Sequence, residues 1–435
     1  MRQKGFVNTD VADRPGNRYV EWLVAIAVSL AITFIVTESV LDAFFPALGR
    51  LSGLFRNLVL LLLLIYQMRH GGIKLQGRRG LLFFVIYSVY ILLYITVFRV
   101  YDLDDLVKGP SSVFNFFYRT AQILIYLLCA DTIVRHIRPA KFLIVSLIVA
   151  VIPTVLFINY IGLDTLQVFG QDKDGDEFIS AMLLGYANAP VIVIATLFFS
   201  RLFKSKTLSR FFASVIIILS GFVLVAGGER GPILWTIVNI CICLFLTHKN
   251  VAKYVLIALG LGLLLLVNYN SIMAKLEEVT PRTAERISSA VEEGDTNGRF
   301  DLNNPEGSTY IIGLRQFASS PLWGSYFRLK TNHWIFRGHY PHNVFIEFMI
   351  TMGLMGLIPF LFLLWRAWKN ARRIRFSRDK DCQLFCLAMF LVIFLQLQTS
   401  ETIVFNTTFW LFFYIVCNLD KINPCVIRRK TMAYD

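Results

Sequence analysis

The stretch LLFFVIYSVYILLYITVF, residues 81–98, decides the fold class. It carries no charge and is as long as the roughly 18 apolar residues that mark a membrane-spanning helix. Residues 178–200 and 211–228 share this property. The whole chain is 56% hydrophobic and 17% charged, whereas about a quarter of the residues of a soluble domain are charged. The composition therefore argues against a soluble multidomain enzyme.

The hydropathy pattern predicts an all-α polytopic membrane protein with about twelve transmembrane helices. It divides the chain into residues 1–270 with spans one to nine, a large outer loop of residues 271–341, and residues 342–435 with the last three spans and a tail. The predicted spans lie near residues 20–38, 51–68, 81–98, 113–134, 142–160, 179–200, 211–227, 231–247, 254–270, 342–365, 383–399 and 403–419.

The net charge of +14 would suit a nucleic-acid ligand, but its distribution indicates a topological signal instead. With the N-terminus inside, every predicted cytoplasmic segment carries Lys or Arg, whereas outer connections such as residues 164–177 are acidic. Such a bias sets the orientation of membrane proteins. We therefore predict a multi-pass protein of the bacterial inner membrane, with both termini in the cytoplasm and no nucleic-acid partner.

The outer loop, residues 271–341, is too long to be structureless and is expected to form a small folded cap. One helix is predicted to follow Pro281, and a second to start at Ser308 or Thr309 and stop before Pro321. Pro321-Leu322-Trp323-Gly324 is predicted to be a turn. The tenth span then begins near His342, whose position at a helix N-terminus favours a nearby anion.

Three arginines lie near the outer ends of predicted spans: Arg56, Arg119 and Arg230, the last in the hairpin Gly227-Gly228-Glu229-Arg230-Gly231. Ionisable groups inside spans are costly and suggest a function. The guanidinium fork suits a phosphate, and at membrane depth that phosphate belongs to a lipid. The alternative is that each arginine reaches toward phospholipid headgroups or pairs with a neighbour, as Arg230 would with Glu229.

The loop adds Arg299 and Arg315 to this basic set, and His333, His339 and His342 are the histidines predicted to lie outside. A histidine there suits a general base because its ordinary pKa is near neutrality. The histidine spacing fits no standard zinc pattern, and no phosphate-binding glycine motif for a nucleotide is present. The sequence therefore predicts neither a metal site nor a nucleotide cofactor.

Several of these segments together resemble the O-antigen polymerase and O-antigen ligase superfamily of bacterial envelopes. The resemblance covers residues 228–356. Its motifs are Gly228-Glu229-Arg230-Gly231, Gly298-Arg299, the Pro321–Gly324 turn, His342-Asn343-Val344-Phe345-Ile346-Glu347 and Gly353-Leu354-Met355-Gly356. The His-Asn segment that leads to a Gly-x-x-Gly helix is the most specific of them. The chain departs from the family where Tyr326 replaces a frequent second glycine after the turn.

The resemblance implies a GT-C-like membrane glycosyltransferase that acts at the periplasmic face on an undecaprenyl-diphosphate-linked glycan. No cofactor, nucleotide sugar or metal is implied. By position, Arg230 and Arg299 would hold the diphosphate, and His342 would either deprotonate the acceptor hydroxyl or contact the diphosphate. Arg119, Arg56 and Arg315 are the further candidates for binding the lipid diphosphate. A flippase and a chain-length regulator would be assembly partners.

The sequence favours a polymerase that joins lipid-linked repeat units, because Tyr340-Pro341-His342-Asn343 with Glu347 is more similar to polymerases. A ligase that transfers the glycan to lipid A core needs the same donor site and is the first alternative, and a protein-glycosylating transferase is a related one. A transporter or flippase is the alternative from another class. Such folds commonly show repeated halves and binding residues at mid-membrane, neither of which is evident here.

Overall fold

The regular secondary structure in the part of the chain that the structure describes is entirely helical, with no strand. The structure is a computed structural model. It describes residues 15–44, 46–70, 78–96, 112–162, 181–227, 230–247, 268–279, 284–285, 288, 308–324, 343–377, 379–399, 403 and 406–422. The predicted all-α class is confirmed for these residues.

The helices are numbered in chain order. A π-helical turn, Leu147–Val151, joins α6 to α7, and a short 3-10 helix, Ile374–Phe376, lies between α13 and α14. The helices are α1 Pro15–Phe44, α2 Pro46–His70, α3 Arg78–Thr96, α4 Ser112–Leu128, α5 Ala130–His136, α6 Pro139–Ser146, α7 Ile152–Ile161, α8 Ala181–Leu197, α9 Lys206–Ala226, α10 Arg230–Thr247, α11 Tyr269–Val279, α12 Thr309–Ser319, α13 Val344–Ala371, α14 Lys380–Gln396, α15 Thr407–Cys417 and α16 Leu419–Ile422.

Four described helical segments are long and apolar enough to cross a membrane, namely Leu51–His70, Pro139–Tyr160, Lys206–Ala226 and Val344–Ala371. A fifth candidate is the pair α4 and α5, which is bent by 52° at Cys129. Shorter apolar helices lie at four of the other predicted spans. Several long apolar helices thus indicate a multi-pass membrane protein, whereas most of the predicted span 254–270 falls outside the described residues.

The centre of the helical assembly is formed by α14 and α15. Every residue of Thr408–Cys417 is buried, and aromatic rings fill the space around it. Phe409 stacks on Phe413 with ring centroids 5.3 Å apart, and Phe413 stacks on Phe390 at 5.7 Å. By contrast, α2 leaves an apolar stripe exposed, as expected of a helix that faces lipid. Helices α14 and α15 are therefore the scaffold on which the outer elements rest.

Ion pairs join helix ends at one rim of the assembly, here called the basic rim. Glu21 near the start of α1 pairs with Arg138 at 2.9 Å and with Lys141 at 2.8 Å. Arg201 after α8 pairs with Asp381 at the start of α14 at 3.1 Å. Each of these pairs links segments that the charge pattern assigns to the cytoplasm. Helix ends predicted to lie on one side of the membrane therefore meet at one rim.

Helix α12 of the cap is fully described, and its bounds match the prediction. The Ser308 side chain accepts from the Ile311 amide and caps α12, which ends at Ser319 before Pro321. The tenth span, predicted to begin near His342, begins at Val344, with Asn343 as the N-cap of α13. Helix α11 was not predicted as a separate element. The predicted helix after Pro281 lies largely outside the described residues.

Candidate functional site

The N-terminus of α13 is held by two polar side chains. Asn343 Oδ1 accepts from the amides of Phe345 at 3.0 Å and Ile346 at 3.2 Å, which satisfies donors that a helix start leaves open. One turn later lies Glu347, which is only 1% exposed. Its carboxylate oxygens both accept from the Ile403 amide, at 3.3 and 3.2 Å. A carboxylate in the first turn is also favoured by the helix dipole.

The Glu347 contact fixes the short connection between α14 and α15. Ile403 is fully buried and lies in that connection. Its amide binds Glu347, while its carbonyl accepts from Trp410 Nε1 at 2.8 Å. The Ile403 peptide is thus held from α13 on one side and from α15 on the other. This arrangement ties the start of α13 to the scaffold helices.

Helix α13 is broken at Gly353, about two and a half turns after its start. Gly353 has φ of 60° and ψ of −152°, a conformation in which a side chain is strained. The break frees amides of the next turn for partners from outside the helix. Leu354 N donates to Pro321 O at 2.8 Å, and Met355 N donates to Leu322 O at 3.2 Å. The carbonyl groups of the cap turn therefore replace the acceptors that a continuous helix would provide for these amides.

A second glycine lets the turn approach the broken helix. Gly324 has φ of 73°, and a Cβ there would lie 2.5 Å from the carbonyl carbon and oxygen of Thr351. At Gly353 a Cβ would lie 2.5 Å from Pro321 O. The Tyr90 hydroxyl of α3 also donates to Trp323 O. The two backbones therefore interlock at Gly324 and Gly353.

Helix α12 lies across the start of α13 and reaches the end of α14. Gly313 packs on Ile346, whose Cγ2 would be 2.5 Å from a Cβ at position 313. Tyr310 Oη donates to Gln398 O at 3.2 Å. Arg315, one of the predicted ligand residues, lies on the exposed side of α12. Helix α12 thus anchors the cap on the start of α13 and on the end of α14.

Arg230 is the first residue of α10, so its backbone lies at a helix N-terminus. Its side chain lies outside the described residues. Beside it, a Cβ at Gly231 would lie 2.7 Å from Tyr186 Oη and 3.3 Å from Thr399 Oγ1. Trp235 Nε1 donates to Thr399 Oγ1 at 2.8 Å. The start of α10 therefore packs tightly against α8 and against Thr399, shortly after the end of α14.

Arg56 and Arg119 lie on α2 and α4, which pack on each other. Arg119 interacts electrostatically with Arg56 and with Glu38 of α1. The residues next to both arginines form a hydrogen-bonded clamp between the helices, here called the α2–α4 clamp. In it Asn57 Nδ2 donates to Tyr118 Oη at 2.7 Å, and Gln122 Nε2 donates to Asn57 Oδ1 at 2.7 Å. Two of the predicted ligand arginines thus share one locality.

The structure accordingly gathers some predicted residues and leaves others unplaced. It brings the α10 start, the Pro321–Gly324 turn and the α13 start to the rim opposite the basic rim. Arg299 and His342 lie outside the described residues. Sequence reasoning missed the roles of Asn343, as a cap, and of Glu347 and Ile403. The asparagine before an apolar run and the carboxylate in the first turn were the signals for two of them.

Within the described residues, no three His, Cys, Asp or Glu side chains are grouped so as to hold a metal ion. No protein-family model matches the chain, and no curated protein sequence matches it significantly. A function for this chain therefore has to be argued from its motifs and from the geometry of the rim that carries them.

Proposed function

We propose that the chain is a membrane glycosyltransferase that polymerises undecaprenyl-diphosphate-linked repeat units of a surface polysaccharide at the periplasmic face. One observation carries the proposal. The motif segments at Gly231, Pro321–Gly324 and Asn343 are far apart in sequence but meet at one rim through Thr399, Gly353 and α12. A transferase needs its donor ligands and its base at one place, and the convergence of these motif segments supports such a site.

The proposed topology has twelve spans with both termini inside. The ion pairs of the basic rim support it, because they join only segments that the charge pattern assigns to the cytoplasm. The contacts of Thr399 and Tyr310 support it equally, since they join the cap and the ends of spans that are assigned to the outside. The cap then lies in the periplasm above the proposed site.

In the proposed reaction, the acceptor hydroxyl oxygen attacks the anomeric carbon of the donor sugar. The bond between that carbon and the diphosphate oxygen breaks, and its electron pair leaves with the lipid diphosphate. Arg230 and Arg299 would balance the charge on the leaving group, and His342 would take the hydroxyl proton. Most of the rate enhancement would come from positioning and from charge stabilisation.

A strain that lacks the chain tests the proposal through its lipopolysaccharide, analysed on a gel. Core that carries a single repeat supports a polymerase, whereas lipid-linked polymer beside unmodified core indicates the ligase alternative. Complementation with Arg230→Ala or His342→Ala should restore no polymer although both proteins insert. Normal glycan in the deletion strain would reject both enzymes and favour a transporter.

A further inference from the structure

The clustered arginines of α2 and α4 lie apart from the start of α10. Helix α10 packs mainly against α8 and α14, whereas α2 and α4 pack mainly against α1, against each other and against α15. The scaffold pair α14 and α15 stands between the two groups. Arg56 and Arg119 are therefore placed to act on a ligand other than the one assigned to Arg230.

The chemistry of the Arg56 and Arg119 locality fits a phosphate. Among the described charged groups that act on Arg119, one is a second guanidinium and one is the Glu38 carboxylate. Two guanidinium groups that interact electrostatically repel each other, and this repulsion is reduced by an anion that pairs with both. A phosphate or diphosphate has enough oxygens to accept from two planar forks at once.

The hydrogen bonds of the α2–α4 clamp fix α2 and α4 relative to each other at this point. The arrangement of the two arginines is therefore set by the fold and not only by the motion of flexible side chains. Asn57 follows Arg56 directly, and Tyr118 precedes Arg119, so the 2.7 Å hydrogen bond between them sets the spacing of the two arginine backbones. Gln122, which is 7% exposed, holds Asn57 from the α4 side. Preorganised donors lose less conformational entropy when they bind a ligand.

The site opens toward lipid, which favours a lipid as the source of the phosphate. Leu54, Phe55 and Leu58 flank Arg56 on α2 and are 66%, 51% and 51% exposed. A helix with such a stripe faces acyl chains in a membrane. A ligand that combines a phosphate at the depth of Arg56 with an apolar tail along this stripe satisfies both features.

We propose that Arg56 and Arg119 form a second lipid-phosphate site, which holds the diphosphate of the lipid-linked acceptor while the Arg230 end holds that of the donor. The acceptor assignment rests on the proposed function, because a polymerase joins two substrates that each carry a lipid diphosphate. Each transfer leaves the longer glycan on the acceptor lipid. The product then has to move between the two sites, or leave, before the next transfer.

The number of bound lipids tests the proposal. The full chain in nanodiscs of phosphatidylethanolamine and phosphatidylcholine is titrated with undecaprenyl diphosphate, and bound lipid is counted by native mass spectrometry. Wild type should bind two, Arg56→Gln/Arg119→Gln one, Arg230→Gln one, and the triple variant none. Arg201→Gln is the matched control, because this arginine lies at the basic rim, and it should bind two. One lipid on wild type, or two on the double variant, would overturn the proposal.

A second variant keeps the test valid if the double variant misfolds. Gln122→Leu removes a clamp hydrogen bond and leaves both arginines in place. It should weaken one of the two binding events about tenfold, equivalent to roughly 1.4 kcal/mol. Wild-type affinity for both lipids in this variant would contradict the preorganised site.

Further arms of the experiment test the source of the phosphate and the enzymatic role separately. Phosphatidylglycerol is titrated in the same way. If the double variant no longer binds phosphatidylglycerol but still binds two undecaprenyl diphosphates, the site takes ordinary headgroups and the acceptor assignment is wrong. Displacement of the second lipid by millimolar inorganic diphosphate alone would indicate a soluble anion and overturn it too. Two bound lipids without any glycan transfer would support the second site and reject the proposed enzyme. Glycan transfer with a single bound lipid would support the proposed enzyme and reject the second site.

Discussion

At the scale of single residues, Glu347 is a buried charged group at the rim opposite the basic rim. Its carboxylate is buried and binds the Ile403 amide with both oxygens. Removal of the carboxylate leaves a buried amide unsatisfied, a loss of about 1–3 kcal/mol. We expect Glu347→Ala to lower the unfolding temperature in detergent by an amount consistent with that loss, and Glu347→Gln to lower it less.

The control for this prediction is Glu278→Ala, because Glu278 is exposed on α11. A surface change of this kind usually alters stability by less than about 0.5 kcal/mol. If Glu347→Ala and Glu278→Ala unfold at the same temperature, the Ile403 contact contributes nothing to the fold.

Gly231 offers a residue-scale test in which one substitution should repair another. A Cβ at Gly231 would lie 2.7 Å from the Tyr186 hydroxyl oxygen but 3.7 Å from the ring carbon that bears it. Gly231→Ala alone should therefore destabilise the protein, by about 1–3 kcal/mol as in other overpacked cores. Gly231→Ala with Tyr186→Phe should recover most of the loss, because the clashing atom is gone.

A double-mutant cycle of thermal unfolding measures this repair. The coupling should be favourable by more than the error of the four measurements. Additive losses from the two substitutions would mean that Gly231 and Tyr186 do not approach each other, and the packing of α10 against α8 at this end would be wrong.

At the scale of elements, the interlock of the cap turn with α13 depends on two glycines with positive φ. Alanine in such a conformation costs about 1–3 kcal/mol, and its Cβ would also meet backbone atoms at 2.5 Å in either position. We expect Gly353→Ala and Gly324→Ala each to lower the unfolding temperature markedly and to abolish polymer in the complemented strain. Limited proteolysis should cut the cap faster in both.

Gly221→Ala is the matched control for the interlock. Gly221 lies within α9, and a Cβ there meets nothing within 4 Å. Alanine is favoured over glycine inside a helix by about 1 kcal/mol, so this variant should be as stable as wild type or slightly more stable. Equal behaviour of the three alanine variants would show that the turn does not dock into the break.

The same elements show what the sequence predicts and what it leaves hidden. Ser308 before an apolar helical pattern and Pro321 after it locate α12 to within a residue, because caps and stops are local signals. The break at Gly353 has no local signal, since Gly353-Leu354-Met355-Gly356 is compatible with a straight helix. The break is stabilised by hydrogen bonds to Pro321 and Leu322, which lie more than thirty residues earlier in the chain.

The candidate site shows the same division. Arg56 and Arg119 were each predicted as candidates because a charge inside a membrane span is energetically costly. Each was identified separately, without the other. Their approach to each other follows from the packing of α2 on α4 and from the Asn57–Tyr118 hydrogen bond, which no spacing along one helix encodes. Likewise, Glu347 stood out as part of a motif, but its partner Ile403 lies on a different element.

At the scale of the whole molecule, the topology sets which rim meets the periplasm, and it can be tested without any assumption about chemistry. Ala318 lies on the exposed side of α12 in the proposed periplasmic cap, and Lys204 is exposed between α8 and α9 on the proposed cytoplasmic side. With the seven native cysteines replaced, a membrane-impermeant maleimide should label Ala318→Cys in cells whose inner membrane is intact. Lys204→Cys should react only after lysis, because the bilayer separates it from the reagent. Labelling of Lys204→Cys in intact cells would invert the topology and, since the proposed donor site and the cap share one rim, would move the chemistry to the cytoplasm.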